Sequence, residues 1–313
     1  MKSPRKQTAK QKHVVLTNRM EEILRAVHFY RYITAIDVAH LFFSAKSLTH
    51  VREILNVLCG GEDDKSGQYL YRFSLPSAKA GNTTKVYTLG SRGRDFLETE
   101  LGLSADWYFR PDKVKHLSFG QLTHNLILTR FLVAARSFCS ASPGYRLAKQ
   151  RISYGLAGEP VVVELGEGRG ALRVPVVPDA WFVIEREVVR VREPERFPVL
   201  LEIDRGTEYQ RRFKEHVLAR VEFIRSGGYE RLFGERAVTV AYVTTGDRPS
   251  YRETRLGTMR AWTREALEAA GRGSWAPVFR FTAVAHEELF STPLFSDRVW
   301  FEPGEGEPVG LFL

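Results

Sequence analysis

Apolar positions recur every three or four residues over the first sixty residues of the chain, a period that predicts three helices. Thr17 is placed to cap the first, which runs to about residue 29 with Met20, Ile23, Leu24 and Val27 as its apolar stripe. Thr34 and Asp37 have the spacing of a capping box and open a second helix through Ile36, Ala39, His40 and Leu41. In the third, Leu48, Val51, Leu55 and Leu58 are spaced three, four and three apart, which is one helix face. Gly60-Gly61 ends it, since glycine adopts the left-handed cap conformation at little cost. The period then changes to two. Residues 69–75 and 85–89 alternate as strands around a loop containing Pro76, Gly81 and Asn82, and Gly90-Ser91 opens a fourth helix through Phe96 and Leu97.

A linker is expected over 104–115, followed by a long helix over 117–138. Strands are expected at 146–154, 161–165, 173–185 and 197–204. The glycine-rich run 166–170 reads as a hairpin turn: no Lys-Ser/Thr pair follows it and no helix opens there, so it is not a phosphate loop. A helix over 208–225, a strand over 237–244, a helix over 250–270 and a strand over 277–284 complete the pattern. That order predicts an α/β domain with a mixed sheet, α+β for the chain as a whole. The expected organisation is an arm over 1–16, a first domain over 17–103, the linker, a second domain over 116–285 and an irregular tail over 286–313.

Charge changes the picture at one end. The chain has 313 residues and a net charge of +9, and five of its basic residues (Lys2, Arg5, Lys6, Lys10 and Lys12) fall within the first twelve, which hold no acid. Such an arm suits attraction to phosphate backbones, although a solubilising tail has the same composition. At 43% hydrophobic residues the chain can form real cores, which excludes a disordered protein. No apolar run approaches the ~18 residues of a membrane span. Cys59 and Cys139 are too few for a disulfide scaffold or a cysteine zinc site. A cytoplasmic protein with no membrane partner is the expectation.

Candidate chemistry lies in three places. The third helix turns Ser47, Thr49, His50 and Arg52 away from its apolar stripe, free to meet a DNA groove, and Arg72, Lys79 and Lys85 on the hairpin are candidate phosphate contacts. In the second domain, Pro178-Asp179 leads into one strand, and Glu202 and Asp204 stand two apart at the end of another, so both point to one side. Three carboxylates at a buried strand end need a positive partner. Mg²⁺ is one, held by Asp179, Glu202 and Asp204; pairing with Arg205, Arg211 or Lys214 is the other. The histidines form neither a His-x-His pair nor a His-Glu-x-x-His helix, and His124 on the long helix is more simply a core histidine than a ligand.

Three helices, a hairpin and a closing helix resemble the winged helix-turn-helix. The resemblance is carried by Ser47-x-Thr-His-Val-Arg52, Leu55-x-x-Leu58-x-x-Gly61 and Tyr87-x-Leu89-x-x-x-Gly93. Asp179 with Glu202-Ile-Asp204 resembles the PD-(D/E)xK nuclease pattern, which implies a restriction-endonuclease-like mixed-sheet domain. Asp204 stands where that pattern carries its lysine, and Lys214 is the candidate replacement. Pro178-Asp179-Ala, Glu202-Ile-Asp-Arg-Gly-Thr-Glu208, Lys214 and His124-Asn-Leu126 together resemble the replication-relaxation family of plasmids and other mobile elements. That resemblance implies a DNA-binding protein of plasmid-type replication or DNA relaxation, with duplex DNA and other replication or mobilisation proteins as partners. Metal-assisted nicking would then rest on Asp179, Glu202, Asp204 and Lys214. The alternative is a non-enzymatic DNA-binding regulator whose α/β domain mediates assembly.

Overall fold

The structure, a computed structural model, describes residues 15–60, 68–75, 83–105, 118–152, 161–166, 171–246 and 248–312. The chain is a mixed α+β protein and divides into two compact units between Leu122 and Thr123. Among the described residues no helix is long and apolar enough to cross a membrane.

The first unit follows the hydrophobic pattern closely. Helix α1 (Asn18–Tyr30) starts where the Thr17 hydroxyl accepts the Met20 N–H at 3.3 Å, and its stripe residues Ile23, Leu24 and Val27 are fully buried. Strand β1 (Ile33–Thr34), which the periodicity did not signal, pairs with β3 (Thr84–Leu89) and leads into α2 (Ala35–Phe42). The capping box is complete: Asp37 Oδ2 accepts the Thr34 N–H at 2.8 Å, and Thr34 Oγ1 accepts the Asp37 N–H at 3.4 Å. In α2 the burial falls on Val38 and Ala39, while Ile36 is exposed. Helix α3 (Leu48–Leu58) buries Val51, Leu55 and Leu58 completely, worth roughly 1.5–3 kcal/mol each. Gly60 takes the left-handed conformation after it (φ +76°).

Strands β2 (Leu70–Leu75) and β3 (Thr84–Leu89) form an antiparallel hairpin, giving the sheet order β1-β3-β2. Helix α4 (Ser91–Thr99) closes the unit. The last residue of the Tyr87-x-Leu89-x-x-x-Gly93 motif has a steric reason: a Cβ at Gly93 would lie 2.1 Å from the Tyr69 carbonyl oxygen, so only glycine lets α4 sit so close to β2.

In the second unit a five-stranded sheet has the order β10-β9-β8-β7-β4. Its members are β4 (Tyr145–Ile152), β7 (Ala180–Arg186), β8 (Glu195–Asp204), β9 (Thr239–Thr244) and β10 (Phe279–Ala283). Strands β8, β9 and β10 run parallel, linked through α6 (Gln210–Arg225) and α8 (Pro249–Ala269); β7 and β4 are antiparallel additions. Phe213 and Val217 of α6 and Met259 and Leu267 of α8 pack on Trp181, Leu200, Val240 and Phe281. The long helix α5 (Phe119–Ala141) places Phe131 against Phe182, Phe295 and Trp300.

Two features differ from the expectation. The single strand expected over 173–185 is two strands in two sheets. Strand β6 (Leu172–Val176) forms a separate hairpin with β5 (Val161–Leu165), and β7 joins the large sheet. Pro178 lies between them and has no N–H for a ladder, so the chain changes partner there. The turn of the β5–β6 hairpin at 167–170 lies outside the described residues, as do most of the linker and the arm. A short helix, α7 (Gly228–Phe233), was not signalled by periodicity; it sits between Gly227 and Gly234, both at φ +73°. The tail is irregular but anchored. Phe301 bridges to Phe281, and Trp300, fully buried, donates its indole N–H to the Leu294 carbonyl at 2.7 Å.

Candidate functional site

In the first unit, the inward stripe of α3 leaves Thr49, His50, Arg52, Glu53 and Asn56 exposed on the other faces. His50 Nδ1 lies 3.7 Å from Glu53 Oε2, and its ring meets Phe43 edge-on. Ser47 sits in the turn before the helix, its hydroxyl 3.1 Å from that of Ser44. The hairpin brings two more cations to the same side. Arg72 donates to the Asn56 side chain at 2.6 Å, bracing β2 against α3, and Lys85 donates to its cross-strand neighbour Ser74 at 2.7 Å. Arg52, Arg72 and Lys85 line one cleft of about 410 Å³ together with Asn56, Thr84 and Tyr87, and among the described residues no acid lines it. Burial raises the Tyr87 hydroxyl above its usual pKa, against the pull of Arg72 and Arg52. Lys79 lies outside the described residues.

In the second unit, alternation along β8 sends Glu202 and Asp204 to the side of α6 and α8, where each meets its own arginine. Arg220 of α6 donates both Nε (2.7 Å) and Nη2 to Glu202 Oε1, and its Nη1 reaches the His216 carbonyl at 3.0 Å. Arg255 of α8 donates Nε to Asp204 Oδ2 (2.9 Å) and Nη2 to Oδ1 (2.8 Å), a two-pronged pair, and the Thr244 hydroxyl adds a bond of 2.9 Å to Oδ2. Both pairs are nearly closed to solvent. Tyr242, opposite Glu202 on β9, carries the Arg220 guanidinium 5.9 Å from its ring centre.

Asp179 is held differently. Its own N–H bonds to the Leu201 carbonyl, and its Oδ2 accepts the Ile203 N–H at 2.7 Å. The carboxylate thus stands in for the strand carbonyl that the chain, turning away at Pro178, does not supply. Oδ1 lies 2.9 Å from His124 Nε2 on α5, while His124 Nδ1 is buried with no hydrogen-bond partner among the described residues.

Electrostatics follow from this packing. Burial pushes the Glu202 carboxyl up to about 8; Arg220 opposes the shift, and the charges of Asp179 and Glu208 add to it. Burial alone would lower Arg220, but the Glu202 charge outweighs it and Arg220 is raised. The guanidinium therefore stays charged throughout the accessible pH range.

Alternation brings Glu202 and Asp204 to one side of the strand end, yet two of the cations expected to serve them, Lys214 and Arg211, pair with other acids. Lys214 donates to Glu265 on α8 at 2.6 Å, and Arg211 pairs with Glu215 one turn on at 2.9 Å. Arg220 and Arg255, which sequence reasoning missed, carry a legible signal. Arg220 is seven residues after Phe213 and three after Val217, and Arg255 is four before Met259, so both arginines lie on the buried stripes of their helices.

A hard cation such as Mg²⁺ needs carboxylate oxygens with free lone pairs. Here guanidinium groups engage Glu202 Oε1 and both oxygens of Asp204, and His124 and a backbone N–H engage both oxygens of Asp179. As arranged, the positive charge beside Glu202 and Asp204 is supplied by Arg220 and Arg255. Among the described residues no group of three or more His, Cys, Asp or Glu is placed to hold a metal.

Compared with protein-family models, curated proteins and solved structures, the chain matches none.

Proposed function

We propose that the chain is a DNA-binding protein of a mobile element, acting in plasmid-type replication or DNA relaxation. Its N-terminal unit is a winged helix that lays α3 in the major groove of duplex DNA, and its second unit is a restriction-endonuclease-like scaffold that does not cleave. The observation that carries the first part is the cleft beside the exposed face of α3 where Arg52, Arg72 and Lys85 converge, with no acid among its described lining residues. Unopposed cations beside a helix of groove-fitting width suit a phosphate backbone flanking a read base edge. The non-cleaving scaffold rests on the separate arginine that each of Glu202 and Asp204 has taken.

Binding of a labelled duplex by the full chain, compared with Arg52→Ala and Lys85→Ala, tests the first part. Arg52→Ala is expected to weaken binding by ~1–3 kcal/mol if it reads a base, and Lys85→Ala by less. Unchanged affinity in both variants would defeat the reading. Incubation of supercoiled plasmid with the protein in Mg²⁺ or Mn²⁺, beside Asp179→Asn, tests the second. Nicking that the variant abolishes would replace the scaffold with a metal-dependent nickase.

A further inference from the structure

One surface of the second unit remains unexplained by duplex docking. The β5–β6 hairpin packs along α6, and between β6 and the first turns of that helix runs an open groove of about 340 Å³. Leu172, Val174 and Pro175 contribute its apolar wall, and Arg173, Arg211 and Arg212 its rim; among the described residues Glu215 is the one glutamate that lines it. At its head stands Tyr209, the residue before α6, with 85% of its surface exposed. Among the described residues no aromatic ring stacks on it.

From this groove we infer a binding site for single-stranded nucleic acid in the second unit. A phenol ring so exposed gains nothing from the core, and its faces are available to a planar partner. Unstacked bases offer such a partner, whereas the bases of a duplex are already stacked on one another, so the ring selects single strands over double strands. The arginines supply the backbone contacts. Arg212 lies 3.7 Å from Glu208 and Arg173 3.9 Å from Glu164, and the side chains of both arginines are 72% exposed. Exposed pairs this long contribute little, and each guanidinium keeps donors for a phosphate. Arg211 is committed to Glu215 at 2.9 Å but is itself 90% exposed, with its remaining N–H groups facing outward. An acidic peptide would satisfy the arginines yet leave the ring without a stacking partner, so nucleic acid is the better fit.

The test uses the full chain and labelled single strands of deoxythymidine and of uridine, read by fluorescence anisotropy. Because Tyr209→Ala changes no charge, any contribution of the basic arm is common to both proteins. Tyr209→Ala is expected to weaken binding roughly tenfold, the scale of one base stacked on an aromatic ring. Tyr209→Trp is expected to retain it, and Arg212→Ala to reduce the salt dependence by about one phosphate contact. Equal binding by Tyr209→Ala overturns the proposal, as does equal competition by a polyglutamate peptide, which would show a surface for acidic chains. Arg52→Ala separates this site from α3: loss of duplex binding with single-strand binding intact supports two sites. A wild-type chain that binds no duplex defeats the reading of α3 while leaving this test to stand on Tyr209.

Discussion

The two units handle charge in opposite ways. In the first, Arg52, Arg72 and Lys85 share a cleft open to solvent, and among the described residues no carboxylate lines it. In the second, Glu202 and Asp204 are buried, and each is bound to an arginine from a different helix. An exposed like-charge cluster costs little in water, because solvent and salt screen it, and it is relieved by an external partner of opposite sign. Buried charges admit no such arrangement and must be paired within the fold. The contrast teaches that richness in charge does not mark a site of action. What distinguishes the two is whether the fold has already supplied the counter-charge.

The largest expected effect breaks the buried arrangement. Glu202→Ala leaves Arg220 charged and unpaired in the core, and urea denaturation should show a loss of ~3–5 kcal/mol. Arg220→Met should cost less, because Glu202, whose carboxyl burial already raises, can stay protonated without its partner, whereas Arg220 in the converse case cannot release a proton. Combining Glu202→Leu with Arg220→Met should recover most of the loss. Equal costs for both single variants would show that the pair is not buried as described.

Next in size is the open cleft: Arg52→Ala should cost ~1–3 kcal/mol of duplex affinity while leaving the melting temperature unchanged, since among the described residues no ion pair is lost. A matching fall in stability would mean that the cleft is a structural feature like the acid cluster.

The pH dependence sharpens the comparison further. The folded-state pKa of Glu202 lies at about 8, above the ordinary value of 4.5. Between those values the folded protein holds a proton that the unfolded chain releases, so stability is full below about pH 4.5 and falls as pH rises through about 8. Thermal melts from pH 5 to pH 9 should show the decline, and Glu202→Gln, which cannot ionise, should flatten it. A wild-type slope preserved in Glu202→Gln would assign the titration elsewhere.

Smaller effects concern added ions. Mg²⁺ or Mn²⁺ should not raise the melting temperature, because the arginines already hold the carboxylates; a rise abolished by Asp179→Asn would reveal a metal site after all. Deleting residues 1–12 should flatten the plot of log duplex affinity against log salt, while the slope of the full chain persisting in the shortened one would make the arm a solvated tail.

Much of this protein was determined by its sequence alone. Period, caps and glycines located α1 to α4, the β2–β3 hairpin and most of the second unit, because those signals act over a few residues. The Thr34–Asp37 box and the steric demand at Gly93 are local contacts, and both are found where expected or where a motif residue called for them. The sequence also placed Glu202 and Asp204 on one side of β8, since alternation in a strand is a property of the backbone.

The tertiary structure alone decided what those acids face. Arg220 follows Glu202 by eighteen residues and Arg255 follows Asp204 by fifty-one, and they arrive because α6 and α8 pack on the same sheet face. Arg211 and Lys214, nearer in sequence, fall off the buried stripe of α6 and pair with Glu215 and Glu265 instead. Pro178 could be read as a strand breaker, but not that the chain would change sheets there, nor that Asp179 would take over a backbone hydrogen bond. Local periodicity reports which face of an element is buried; the identity of the group opposite depends on how distant elements dock, and no short-range pattern encodes that.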